Sequence, residues 1–249
     1  MAGAVGGWVA GSEYRGQGVR NALISSGCMT WLALIGPITA YLVGSIPFGL
    51  LLGLAKGVDI RKHGSGNIGA TNAGRVLGLR YFFYAFCLDF LKGLLPVLCS
   101  DLLSRRWHAP AYLPLLTAAA AICGHLFPIY LRFRGGKGVA TSFGAVLGIW
   151  PVFTLAGLAA GLAFLVVFLT WRIISVASLA ATVVFVLLVP FFGRIAPEFW
   201  HLLRVTPWPQ LWPLLAASWI LGVGLVVKHR SNIRRLLAGT EPRAVKTAK

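Results

Sequence analysis

The 249-residue chain is 57% hydrophobic and only 12% charged, with a mean hydropathy of +0.79. Soluble domains carry about 25% charged residues, so this chain cannot cover a water-facing surface, and a large soluble domain is excluded. The formal net charge of +17 would suit nucleic acid. Here, however, the basic residues sit in short blocks between apolar runs, the pattern of a membrane protein that keeps Lys and Arg in its cytoplasmic loops.

Residues 1–28 are rich in Gly, Ala and Ser, carry Arg15 and Arg20, and lack a long apolar core. They read as a flexible extension rather than a signal peptide, with Met29 as an alternative start. Residues 29–242 read as an all-α, polytopic unit, and 243–249 as a short basic tail. Spans need roughly 20 apolar residues. Seven are predicted near 31–54, 82–104, 110–131, 139–153, 155–171, 174–193 and 209–228. The fourth is short and ends at Pro151; it forms a hairpin with the fifth, or fuses with it to leave six. With seven spans, most of the 23 Lys and Arg fall on one side. The positive-inside rule then places the C-terminus in the cytoplasm and the N-terminus outside. The exterior loop 194–208, with Trp200 and the nearby Trp208 and Trp212, suits the membrane–water boundary. The cysteines Cys28, Cys87, Cys99 and Cys123 show no pairing or metal spacing.

Three polar blocks lie on the cytoplasmic side. The first contains Gly64-Ser65-Gly66-Asn67-Ile68-Gly69. It matches G-x-G-x-x-G, but a dinucleotide site needs a strand before it and a βαβ unit around it, and spans stand on both sides. The glycines still allow close backbone approach, and successive N–H groups can cradle an anion. Ser65, Asn67, Thr71 and Asn72 add hydrogen-bonding groups, and Arg75 adds a planar cation suited to phosphate. The second block is Gly124-His125-Leu126-Phe127-Pro128, followed by Gly135-Gly136-Lys137-Gly138 and then Thr141. It lacks the Walker A spacing, which argues against ATP, yet a glycine loop with a lysine opening a helix suits phosphate. The third block runs from Lys228 to Glu241. Arg230, Arg234 and Arg235 fit an anchor on anionic lipid, worth about 1 kcal/mol per charge. His229, Asn232 and Glu241 ask for specific hydrogen bonds instead. Within the spans, Asp89 and Lys92 share a helix face and are expected to pair, because a lone charge at that depth is costly. Ser175 and Ser178 open the sixth span, where serines commonly bond back to their own helix.

A transporter for an organic anion would want similar loops, but transporters usually place the polar site near the midplane, between broken helices of repeated halves. A lipid-binding scaffold would account for the basic tail and not for the glycine loops.

Together the three blocks resemble the bacterial acyl-phosphate-dependent glycerol-3-phosphate acyltransferases, the PlsY family. That family's pattern has G-S-G-N-x-G-A-T-N followed by Arg, then G-H-x-[FY]-P with G-G-K-G-V-A-T, then H-x-x-N-I-x-R-L-L-x-G-x-E. The chain matches it at Gly64 to Asn72 with Arg75, at Gly124 to Pro128 with Gly135 to Thr141, and at His229 to Glu241. The likeness covers roughly residues 30–242 and includes the run Asp89 to Gly93. The H-x-x-x-x-D pair of other glycerol-phosphate acyltransferases is absent, since Tyr130 and Arg234 stand where the Asp would follow His125 and His229.

The resemblance implies a seven-helix enzyme of the bacterial inner membrane with its active site at the cytoplasmic face. It would move an acyl group from acyl phosphate to the 1-hydroxyl of glycerol 3-phosphate, the first acylation of phospholipid synthesis. It implies catalytic roles for Ser65, Arg75, His229 and Asn232. It implies substrate binding by Gly64, Gly66, Asn67, Thr71, Asn72, Gly135, Gly136, Lys137, Gly138, Thr141 and Ser178. Structural roles fall to Asp89, Lys92, His125 and Glu241. No metal or cofactor is expected, because acyl phosphate is an activated anhydride that gains most from proximity and from donors to the developing charge. The base is either His229, by its near-neutral pKa, or a substrate phosphate. The expected partners are the two substrates, membrane lipid and the enzyme that makes acyl phosphate, with no nucleic acid.

Overall fold

A computed structural model of the chain describes residues 31, 34–107, 110, 112–195 and 211–243. The predicted extension at 1–28, most of the loop 194–208 and all but the first residue of the tail lie outside these. Among the described residues every regular element is helical. Helix α1 covers 34–44 and bends at Pro47 into α2 (Phe48–Leu54). A 3-10 turn (Ile60–Lys62) precedes α3 (Ala70–Leu77). Then follow α4 (Leu79–Trp107), α5 (Leu113–Leu126), a second 3-10 turn (Ile129–Leu131) and α6 (Val139–Leu147). The chain continues through α7 (Val152–Trp171), α8 (Ile174–Ile195), α9 (Leu211–Lys228) and α10 (Arg230–Leu237). Lipid offers the backbone no hydrogen bonds, so a chain of this composition must satisfy its own peptide groups within helices.

Among the described residues six stretches are long and apolar enough to cross a membrane: Leu34–Leu54, Leu79–Arg106, Leu113–Leu131, Val152–Trp171, Ile174–Gly193 and Leu211–Lys228. They coincide with six of the seven predicted spans. The fourth prediction, 139–153, differs. It holds only α6, nine residues long, or about 14 Å of helix against a hydrocarbon core of about 30 Å. Hydropathy marked the segment as apolar, but the chain leaves the helix at Gly148 and α7 begins only after Pro151.

Helix α6 is apolar because protein, rather than lipid, surrounds it. It packs on α4, α5 and α7. Ala145, Val146 and Ile149 join Val97, Val152, Phe153 and Ala156 in the main buried cluster, with Phe185 and Val189 from α8. Two glycines bring the backbones together. Any side chain on Gly93 would strike the Thr141 carbonyl, and any on Gly144 would strike the Phe90 carbonyl, the small-residue packing expected where no hydrophobic force separates helix from lipid. At the other end of α6, the Arg105 guanidinium donates to the Trp150 carbonyl at 2.6 Å and pairs with Asp101 at 2.7 Å. That bond holds the turn after α6 beside the C-terminal end of α4.

The α4–α6 contact is testable. Gly144→Ala is expected to lower the thermal midpoint in detergent by several degrees, because two backbones must part. Gly224→Ala, with open space around the added methyl, is expected to leave the midpoint unchanged or to raise it.

Candidate active site

The first polar loop closes on one side chain. Asn72 is 1% exposed. Its side-chain oxygen accepts the Ser65 N–H at 2.8 Å, and its amide donates to the carbonyls of Ile60 and His63 at 2.8 and 3.1 Å. Gly64 and Gly66 turn with φ of +61° and +69°, where a Cβ is costly. Asn67 accepts the Gly69 N–H at 2.9 Å. This fold of the loop turns Ser65, Thr71 and Arg75 onto one cavity. Asn72, expected to bind substrate, borders the cavity, and its side-chain hydrogen bonds are spent on holding the loop.

The second loop is built on His125, 5% exposed near the end of α5. Its carbonyl accepts the Gly136 N–H at 3.1 Å. Its Nδ1 lies 3.1 Å from Thr141 Oγ1 and 3.7 Å from Asp89 Oδ1. Gly136 sits directly on the ring at Nε2, where no side chain would fit. The ring is thus enclosed on both nitrogens and acts as a support. Thr141, also expected to bind substrate, is fully buried with its hydroxyl turned to His125. Asp89 pairs with Lys92 at 2.6 Å as expected, and Lys92 donates to the Ile46 carbonyl at 2.7 Å, tying α4 to the α1–α2 bend. On this support Gly138, at φ +83°, caps α6. The first N–H groups of α6 have no partner inside the helix, and with Lys137, Val139 and Ala140 they border the same cavity.

The third element is the corner between α9 and α10. His229 is 3% exposed, and its Nδ1 lies 2.8 Å from the Leu225 carbonyl. A carbonyl only accepts, so Nδ1 carries the hydrogen and Nε2 the lone pair. Glu241 gathers three donors. Ser175 Oγ and Asn232 Nδ2 donate to Oε1 at 2.8 and 2.6 Å, and Arg235 Nε donates to Oε2 at 2.7 Å. With Nδ2 engaged, Asn232 Oδ1 is buried without a partner among the described residues, a state that calls for a donor. Ser178 donates back to the Ile174 carbonyl at 2.9 Å while bordering the cavity.

All three elements face one cavity of about 510 Å³. Its polar end gathers Arg75, Lys137 and Arg235 beside Ser65, His229 and Glu241. Burial pushes the Lys137 ammonium down from 10.5 to about 8; Glu241 opposes this, and Arg235 and Arg75 add to it. Burial also drives His229 below 6.5, with the Lys137 charge adding to the effect. Burial works to raise Glu241, but the hydrogen bonds from Asn232, Ser175 and Arg235 outweigh it and hold the carboxyl below 4.5. The cations and the N-termini of α3 and α6 all favour an anion. Away from that end, Phe82, Phe86 and Phe143 of α4 and α6 and Leu158, Leu162 and Leu165 of α7 line an apolar groove.

Some residues stand elsewhere than predicted. Gly64, Gly66, Gly135 and Gly136 shape the loops without bordering the cavity, whereas Asp89, His125 and Glu241, expected to be structural, do border it. Arg235 read as a lipid anchor and proves to be a cavity cation. Ser175 read as no better than Ser178 and proves to hold Glu241. The phenylalanines escaped the motif reading, though Phe82, Phe86 and Phe90 recur every four residues, the mark of one helix face.

This is an integral membrane protein with a cation-rich cleft that continues into an apolar groove. Residues 34–239 match the family model described as glycerol-3-phosphate acyltransferase, and the chain belongs to that family. It is 43% identical to the glycerol-3-phosphate acyltransferase of Geotalea daltonii over 204 residues, covering 82% of this chain and 93% of the relative. It is 40% identical to that of Bacillus velezensis over 207 residues, covering 83% and 94%. The fold matches crystal structures of PlsY, an integral membrane glycerol 3-phosphate acyltransferase. The glycerol 3-phosphate form superposes with a TM-score of 0.70 at 37% identity, covering 86% of this chain and 96% of that one. The lysophosphatidic acid form gives 0.68 at 36% identity, covering 86% and 95%. The chain is therefore a PlsY-family enzyme.

The Glu241 clamp predicts a pH signature. The carboxyl is depressed in the folded state, so its stabilisation is present above the ordinary value of 4.5 and is lost as pH falls through the folded value. Wild type is expected to exceed Glu241→Gln in thermal stability at pH 7, with the gap closing on acidification below the usual carboxylate range. A gap that is constant with pH would contradict the clamp.

Proposed function

We propose that the protein transfers a fatty acyl group from acyl phosphate to the 1-hydroxyl of glycerol 3-phosphate, giving lysophosphatidic acid and inorganic phosphate. One observation carries this reading: a single cavity joins an anion-binding end, made of two helix N-termini and three cations, to an apolar groove. A phosphate-bearing donor with a long tail and a small phosphorylated acceptor need both parts at once. The hydroxyl oxygen bonds to the acyl carbon, and the carbon–oxygen bond to phosphate breaks. The electron pair leaves with the phosphate, and the hydroxyl proton passes to a substrate phosphate.

Arg75 and Lys137 offset the repulsion between the two phosphates, with Ser65 and the first N–H groups of α3 and α6 as donors. The buried Asn232 Oδ1 is suited to accept from the acceptor's hydroxyl. Burial pushes His229 below its ordinary pKa, which weakens it as a base, and a substrate phosphate is itself a competent acceptor, so the part of His229 is positioning. Anhydride activation supplies the driving force, so the residues need only orient the reactants and stabilise charge.

The same reading places the site at the cytoplasmic face of the bacterial inner membrane, with the N-terminus outside and the C-terminus inside. Residues 29–242 form the catalytic unit. The chain crosses seven times, counting the protein-covered segment 139–153 as the fourth crossing, and it draws its donor from the enzyme that makes acyl phosphate.

Purified protein given fresh acyl phosphate and glycerol 3-phosphate is expected to release phosphate and form lysophosphatidic acid, and to form none from acyl-CoA. Product from acyl-CoA alone would contradict the donor assignment. Because Lys137 titrates near 8, glycerol 3-phosphate affinity in wild type is expected to fall above that pH by up to about tenfold per unit. Lys137→Arg should remain flat. His229→Gln is expected to lower turnover and to retain the wild-type pH profile; a profile that flattens would make His229 the base.

A further inference from the structure

The groove that takes the acyl chain is closed on its α4–α6 side by one side chain. On α4, Phe82 and Phe86 stack at 6.0 Å, and Phe86 and Phe90 at 6.3 Å. Phe82 and Phe86 border the cavity and Phe90 does not. On α6 the deepest bordering residue is Phe143. Its ring lies 5.5 Å from that of Phe90 and seats over Gly161 of α7, where an added methyl would come within 3.0 Å of it. Beyond Phe143, Val146 and Leu147 pack directly on α7 at Gly157, each 3.0 Å from an added methyl there. Phe143 therefore closes the α4–α6 side of the groove and reaches to α7 across the space that Gly161 leaves, while Leu158 and Ala160, on the far side of Gly161, still border the cavity along α7.

The enclosed part is short. From Phe82 to Phe90 is eight residues of helix, about 12 Å. An extended hydrocarbon advances about 1.3 Å per carbon, given carbon–carbon bonds of about 1.5 Å, so roughly nine carbons fit before the ring. The far wall is not closed. Leu158, Leu162 and Leu165 border the cavity and are still 54%, 64% and 49% exposed, so one side of the groove opens on lipid.

We propose that Phe143, seated on Gly161, is the specificity-determining residue for the acyl chain: it closes the α4–α6 side of the groove and turns the rest of the tail sideways past α7 into the bilayer. Selectivity is then a lower limit on chain length without an upper one. Each carbon inside the groove leaves water or lipid for protein contact, and each carbon beyond the ring moves from lipid to lipid. The inference rests on the acyl-transfer reading and sets the range of donors the site accepts.

The test is internal competition between pairs of saturated acyl phosphates, from hexanoyl to stearoyl, at fixed mole fraction in mixed micelles with glycerol 3-phosphate, reading product chains by mass spectrometry. For wild type, the ratio of kcat/KM between successive donors is expected to climb by at most about fourfold per carbon and to level off near decanoyl. Phe143→Ala should carry the climb to longer chains. Gly161→Leu should drive the ring into the groove and end the climb earlier. Phe143→Leu, closer in volume, guards against loss of fold, and retained glycerol 3-phosphate binding by calorimetry identifies intact variants. Sharp discrimination between palmitoyl and stearoyl donors in wild type, or an unmoved break in variants that bind glycerol 3-phosphate, would overturn the proposal. Absence of product from every acyl phosphate would instead overturn the donor reading, and this inference with it.

Discussion

The close approach of α6 to α4 governs the geometry of the site. Gly93 and Gly144 let two backbones meet where a single methyl would hold them apart. Helix α6 is too short to span, so its depth cannot be set by matching to the bilayer. It is set by this contact at one end and by the Arg105 bond to the Trp150 carbonyl at the other. Where α6 sits decides where its N-terminus points, and that N-terminus, with Lys137 beside it, forms one wall of the anion end of the cavity.

Around that wall the protein places charge only where something holds it. Asp89 and Lys92 are 2% and 4% exposed, and at such burial an unpaired charge is costly. They pair with each other, and Lys92 borrows a carbonyl from the α1–α2 bend. Glu241 is likewise surrounded by Ser175, Asn232 and Arg235, which joins α8 and α10 through one carboxylate. Lys137 has no ion-pair partner at bonding distance among the described residues. Burial depresses its pKa, with Glu241 opposing the shift, and a bound phosphate would relieve it.

The site also shows how a support differs from a reagent. His125 and His229 are both buried histidines in family motifs. His125 borders the cavity, but Gly136 stands at its Nε2 and Thr141 and Asp89 at its Nδ1, so both ring nitrogens are enclosed. His229 borders the cavity and fixes its tautomer through the Leu225 carbonyl, which leaves Nε2 as its acceptor. The same contrast separates Asn72, whose amide is used up within its loop, from Asn232, whose oxygen is left without a partner among the described residues.

The sequence by itself determined the helical membrane class, because low charge and long apolar runs leave lipid as the only solvent that fits. It also determined the three polar blocks and the family, because local spacing of Gly, Asn, His and basic residues is legible without a fold. The pairing of Asp89 with Lys92 was readable too, since helical geometry brings residues three apart onto one face. Other features needed the tertiary structure. The nine-residue extent of α6 depends on burial, and an apolar segment reads alike whether lipid or protein covers it. The meeting of Arg235 with Glu241 and Ser175 joins residues up to 66 positions apart, a closure that no local pattern records. The end wall at Phe143 exists only because Phe90 and Gly161, on two different helices, come together beneath one ring.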